Sequence, residues 1–118
     1  MANKLKTNSM SNHFKVIIRW LPPKVKSSNV VVNALHYRPT ICIDGDEDER
    51  QWSFPMYFHS LPFYDQPTLA VGEFLTEFCP WGAMVKGKCF TICEGARVIG
   101  IGEVIEIAEG NCVPEPRS

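Results

Sequence analysis

Apolar and polar positions in this chain follow one another in short runs of strand length. Phe14 to Leu21 is an apolar and β-branched run, Asn29 to Asn33 holds three consecutive valines, and Pro39 to Ile43 ends at the turn-forming pair Asp44-Gly45. Gln51 to Phe58 follows an acidic loop, and Thr68 to Phe78 alternates around Gly72. Gly87 to Cys93 is a clean strand pattern, and Arg97 to Ile107 is the longest of all. Nine prolines and eight glycines punctuate these runs, and the stretch 61–67 reads as a rigid loop. No segment carries a helical period for more than a turn.

The last two runs flank Glu94-Gly95-Ala96, a three-residue loop with a glycine free to take positive φ, which predicts a hairpin. Alternation along its second arm places Ile99, Ile101, Ile105 and Ile107 on one face, and Gly100 and Gly102 on the other with Val98 and Val104. Two glycines on one strand face remove side chains where another group must come close. Many short strands with glycine relief and no helix predict an all-β fold, a small closed antiparallel β-barrel without exposed edges. The expected organisation is a flexible tail over 1–13, a barrel domain over 14–108 and a second tail over 109–118.

A chain of 118 residues has room for one domain, and 45% hydrophobic with 21% charged residues excludes a disordered or collagen-like polymer. No apolar run approaches the roughly 18 residues of a membrane span, so no membrane partner is expected. The first thirteen residues carry Lys4 and Lys6 with no apolar segment behind them, unlike a secretory signal. Five cysteines, Cys42, Cys79, Cys89, Cys93 and Cys112, form an odd set. They read as reduced thiols in a cytoplasmic protein. The net charge of −1 conceals a split, because residues 1–43 hold seven basic side chains and no acid. That split predicts either one basic surface or, if folding mixes the halves, an ordinary solvated one.

The segment Val85-Lys86-Gly87-Lys88-Cys89-Phe90-Thr91-Ile92-Cys93-Glu94-Gly95-Ala96-Arg97-Val98-Ile99-Gly100-Ile101-Gly102-Glu103-Val104 resembles the last hairpin of the C-terminal β-barrel domain of elongation factor Tu. A phenylalanine strand, an acidic-glycine-x-arginine turn and a glycine-x-glycine-x-valine strand come in that order. Tyr37-Arg38-Pro39 with the strand to Ile43 is similar to that family's glycine-tyrosine-arginine-proline element, with His36 in place of the glycine. The spacing covers residues 14–107, while the loops 44–50 and 61–67 are this chain's own and the family's GTP-binding and middle domains are absent. The resemblance implies about six antiparallel strands in a barrel whose relatives bind the aminoacyl-tRNA T-stem and protein partners. It carries Arg38, Gly95 and Arg97 over as a contact rim.

Catalytic and metal motifs fail on inspection. Gly82 to Cys89 nearly spells a phosphate-binding loop, but cysteine stands where magnesium needs a hydroxyl and the following residues read as strand, so no nucleotide is expected. Asp44, Asp46 and Asp48 have the odd spacing of a calcium loop, yet Glu49 takes its obligatory glycine position and Pro55 its bidentate glutamate position. Cys89 and Cys93 stand about 13 Å apart on a strand, too far to share one ion. His13, His36 and His59 have no local ligand spacing. Trp20, His36, Tyr37 and Arg38 could stack on and neutralise RNA, or, for Trp20 and Tyr37, fill the core.

The expectation is therefore a non-enzymatic binding module with no cofactor. Its candidate partner-binding residues are Arg38, Gly95 and Arg97 on the rim and Asp44, Asp46, Glu47, Asp48 and Glu49 in the acidic loop. A protein partner is favoured over RNA or tRNA because the charge is negative and the pI near 6.3 is low for a nucleic-acid binder. A bacterial immunity or antitoxin protein that covers a toxin's active site is the alternative reading.

Overall fold

The computed structural model describes residues 13–25, 27–75 and 81–108. The predicted C-terminal tail, residues 1–12 of the predicted N-terminal one, the end of the run expected to reach Phe78, and Cys79 and Cys112 lie outside them, while His13 belongs to the first strand.

The protein is all-β, and among the described residues the one helical piece is a 3₁₀ turn at Trp81–Ala83. Eight strands form the fold: β1 (His13–Trp20), β2 (His36–Tyr37), β3 (Thr40–Ile43), β4 (Trp52–Ser53), β5 (Met56–Phe58), β6 (Thr68–Gly72), β7 (Cys89–Glu94) and β8 (Arg97–Ala108). They make one antiparallel sheet in the order β2-β5-β6-β1-β8-β7-β3-β4. β1 shows why the sheet curls around a core. Its strict alternation sends Phe14, Val16, Ile18 and Trp20 inward and leaves Lys15 and Arg19 in solvent.

The expected closed barrel of six strands is not what forms. There are eight strands, and the sheet is a curled half-barrel ending at β2 and β4. The reason is proline chemistry. Residues 36–43 and 52–58 face each other in one register, with Tyr37 opposite Met56 and Thr40 opposite Ser53. Pro39 and Pro55 lie in the middle of these two arms and have no N–H to donate, so each arm breaks into two short strands. At the break the Phe54 N–H donates to the Pro39 carbonyl at 3.0 Å, and the Glu73 N–H to the Pro55 carbonyl at 3.2 Å.

The valine run at 30–32 is also not a strand. It makes an isolated bridge from Val30 to Phe63, while half-buried Val31 and Val32 pack on the core. The neighbouring partner segment carries prolines at 62 and 67, which have no N–H to donate to a ladder.

The predicted terminal hairpin forms, but its loop is the two residues Gly95-Ala96, with Gly95 at φ 62°, because Glu94 still pairs with Arg97 and is not a third loop residue. The face assignment along β8 is corrected by two bulges. Cys93 pairs with Val98 but Ile92 pairs with Gly100, so Ile99 is an extra residue and turns inward. Lys15 pairs with Glu106 but Val16 with Val104, which makes Ile105 the second extra residue. Ile101 consequently faces solvent, as does Val98, while Gly100, Gly102 and Val104 face the core and Ile107, opposite the buried Phe14, returns to the core face at the partly exposed end of the strand.

The core is ring-rich. Phe54 is fully buried, with ring centroids 6.2 Å from Phe14, 5.2 Å from Phe74 and 5.8 Å from Phe90. Two glycines make room for these rings, since a Cβ on Gly72 would sit 2.2 Å from Phe54 and one on Gly102 would sit 2.4 Å from Phe90. Trp20 is core, as one of its two readings held, and its Nε1–H donates to the buried Thr68 hydroxyl at 2.8 Å.

Candidate functional site

The candidate residues fall at the two ends of β3, roughly 20 Å apart between Arg38 and Asp44 at the rise of a strand. At one end the acidic loop is held by its own members. Gly45 and Glu49 take positive φ, 94° and 52°, and the Asp46 and Glu49 N–H groups donate to the Ile43 and Asp46 carbonyls. The Asp46 carboxylate accepts from the Asp48 N–H at 3.1 Å, the Arg50 N–H at 3.2 Å and the Arg50 guanidinium at 3.2 and 3.4 Å. The Arg50 guanidinium hydrogen bond is the main reason its carboxyl lies below the usual carboxylate range. Arg50 also stands 5.5 Å over the Trp52 ring, and the Lys88 ammonium donates to the Asp44 carbonyl at 3.2 Å, which ties the loop to the start of β7.

Asp46 is thus held within the loop by its own neighbours. The carboxylates of Asp44, Glu47, Asp48 and Glu49 make no hydrogen bond or ion pair among the described residues. They border two open cavities of about 420 Å³ each. One has a floor of Cys42, Cys89, Thr91 and Ile101 on the outer sheet face; the other lies toward Ala83 and Lys88. Burial, reinforced by Asp46, pushes the Cys42 thiol up, which disfavours the thiolate that nucleophilic chemistry requires. Cys93 is buried and Cys89 is exposed.

At the other end the turn residue Gly95 and the start of β8 meet β2. The Tyr37 hydroxyl donates to one oxygen of Glu94, and the other oxygen accepts from the Arg97 guanidinium at 2.9 Å. Arg97 therefore spends its charge on Glu94 within the chain. Arg38, exposed beside Tyr37, makes no hydrogen bond or ion pair among the described residues. A small cavity of about 90 Å³ lies between Tyr37, Tyr64, Glu94 and Arg97. Gln51 braces this end, because its amide donates to the Gly95 carbonyl at 3.3 Å and accepts from the Thr40 hydroxyl at 2.7 Å.

Sequence reasoning missed the Tyr37 to Glu94 contact, which spans 57 positions in the chain, and the Lys88 anchor of the acidic loop. The Glu94 to Arg97 spacing across a tight turn was the visible half of the first. Gly82 to Cys89 runs from the 3₁₀ turn through Gly87 at φ 90° into β7, so no helix opens after it. Among the described residues no group of three His, Cys, Asp or Glu side chains is placed to hold a metal ion.

Tyr37 gives a pH test of this end. Its hydroxyl is pushed well above the tyrosine range, first by burial and then by the bond to Glu94. A raised folded-state value means that stability is full below the unfolded value of about 10 and falls as pH climbs past it. Alkaline unfolding of the wild-type protein should therefore steepen above about pH 10, and Tyr37→Phe should lose that component. Equal alkaline slopes in the two proteins would contradict the coupling.

No family model, curated protein or solved structure matches this chain.

Proposed function

We propose that the protein is a non-enzymatic binding module of the elongation-factor-Tu-like barrel type, and that it contacts a basic protein partner through the acidic loop. One observation carries this reading: Asp46 and Arg50 brace the loop from within, leaving the carboxylates of Asp44, Glu47, Asp48 and Glu49 displayed beside two cavities. Pre-ordering a charged loop lowers the ordering cost of association and steers an oppositely charged partner toward it. Neutralisation of a toxin with a cationic active site is one form that such an activity takes. The RNA reading is less supported, because Arg97 of the rim is already paired with Glu94, which leaves Arg38 as the rim cation without an ion pair among the described residues.

Titration against oligolysine peptides and against bulk tRNA, each at two salt concentrations, tests the reading. Oligolysine should bind, and replacing Asp44, Glu47, Asp48 and Glu49 by lysine should slow association more than it speeds dissociation. Salt-sensitive tRNA binding at micromolar concentration, abolished in Arg38→Ala/Arg97→Ala, would replace the protein reading with the RNA one.

A further inference from the structure

The outer face of β1 and β8 carries a four-residue block that no internal contact completes. Across the ladder Ile17 stands opposite Glu103, and Arg19 stands opposite Ile101. Ile17 and Ile101 therefore lie on one diagonal of the block, and Arg19 and Glu103 on the other. Ile101 is 45% exposed, and Leu69, the neighbour of Ile17 on β6, is 52% exposed. Arg19 and Glu103 are exposed and join no hydrogen bond or ion pair among the described residues. The next charged pair along the same two strands behaves differently, since Lys15 and Glu106 neutralise each other at 3.2 Å.

We propose that this face docks a second copy of the same chain, giving a two-fold dimer. The argument is self-complementarity. A two-fold axis lying in the interface along the Ile17 to Ile101 diagonal turns each isoleucine onto its own counterpart. The same rotation carries Arg19 onto Glu103 of the second copy, and Glu103 onto its Arg19. Both charges then gain a partner at the edge of an apolar contact, and both pairs form from one operation, as an isologous interface requires. A partner of uniform charge would satisfy one of the two and repel the other, so the mixed diagonal selects a partner with the same arrangement.

Sedimentation velocity and light scattering on the full chain over a concentration series test the proposal. The wild-type protein should pass from the 13.4 kDa chain mass to twice that value as concentration rises. Arg19→Glu and Glu103→Arg should each weaken dimerisation by at least about tenfold, because each sets like charges face to face. The double variant Arg19→Glu/Glu103→Arg should return it to within about threefold of wild type, because the pairs re-form with reversed sense. Ile101→Asp should abolish the dimer while circular dichroism stays unchanged. A wild-type protein that remains monomeric throughout, or single variants that do not weaken dimerisation, would overturn the proposal. So would a folded double variant that fails to recover. Arg19 and Glu103 line neither of the cavities beside the acidic loop, so oligolysine binding by the two charge variants separates this outcome from that of the functional reading.

Discussion

Phe54→Ala should lower the unfolding free energy by about 3–5 kcal/mol, a large part of what a domain of this size possesses. The ring is fully buried at the proline break between β4 and β5 and contacts the rings of Phe14, Phe74 and Phe90. It also occupies the space over Gly72, where an added Cβ would sit 2.2 Å from it. Gly72→Ala should therefore destabilise the wild-type protein and become nearly neutral, or stabilising, in the Phe54→Ala background. Its methyl group would then enter the cavity that the ring has left. Urea unfolding of the four members of this cycle measures the coupling. Additive effects would mean that the ring and the glycine are not packed against each other.

Gly102→Ala is expected to cost about 1–3 kcal/mol, and more if the core cannot move, because the new methyl group would meet the Phe90 ring at 2.4 Å. A phenyl ring in the middle of a packed core has no free end to swing away. Gly95→Ala separates this steric effect from backbone strain, since nothing lies within 4 Å of that position but its φ is 62°. Its cost should be about 1–2 kcal/mol and should not respond to changes at Phe90. Phe90→Leu should recover part of the Gly102→Ala loss and none of the Gly95→Ala loss. Recovery of both, or of neither, would show that the glycines are not performing these separate tasks.

The acidic loop and the rim were legible to different depths. The loop's composition marked it as an exposed charged segment, and Asp44-Gly45 marked where it begins. That Asp46 braces the loop depends on Arg50 folding back four positions later, where several rotamers compete and only the completed loop selects one. On the rim, the Glu94-Gly95-Ala96-Arg97 turn was local and readable. Its use of Tyr37 to hold Glu94 was not, because no local rule links residues on strands that meet only when the sheet curls.

By itself the sequence determined the all-β class, the terminal hairpin and the glycine relief on β8, all of which follow from period-two alternation and turn chemistry within a few residues. Tertiary structure alone decided three further matters. Pro39 and Pro55 come to lie side by side and break one long hairpin into four short strands, giving eight strands in a curled half-barrel. Bulges at Ile99 and Ile105 reset which isoleucines face solvent, since a bulge is an adjustment between two paired strands and has no signature in either one alone. The block of Ile17, Arg19, Ile101 and Glu103 likewise exists only through the register of β1 against β8, where residues more than eighty positions apart become neighbours.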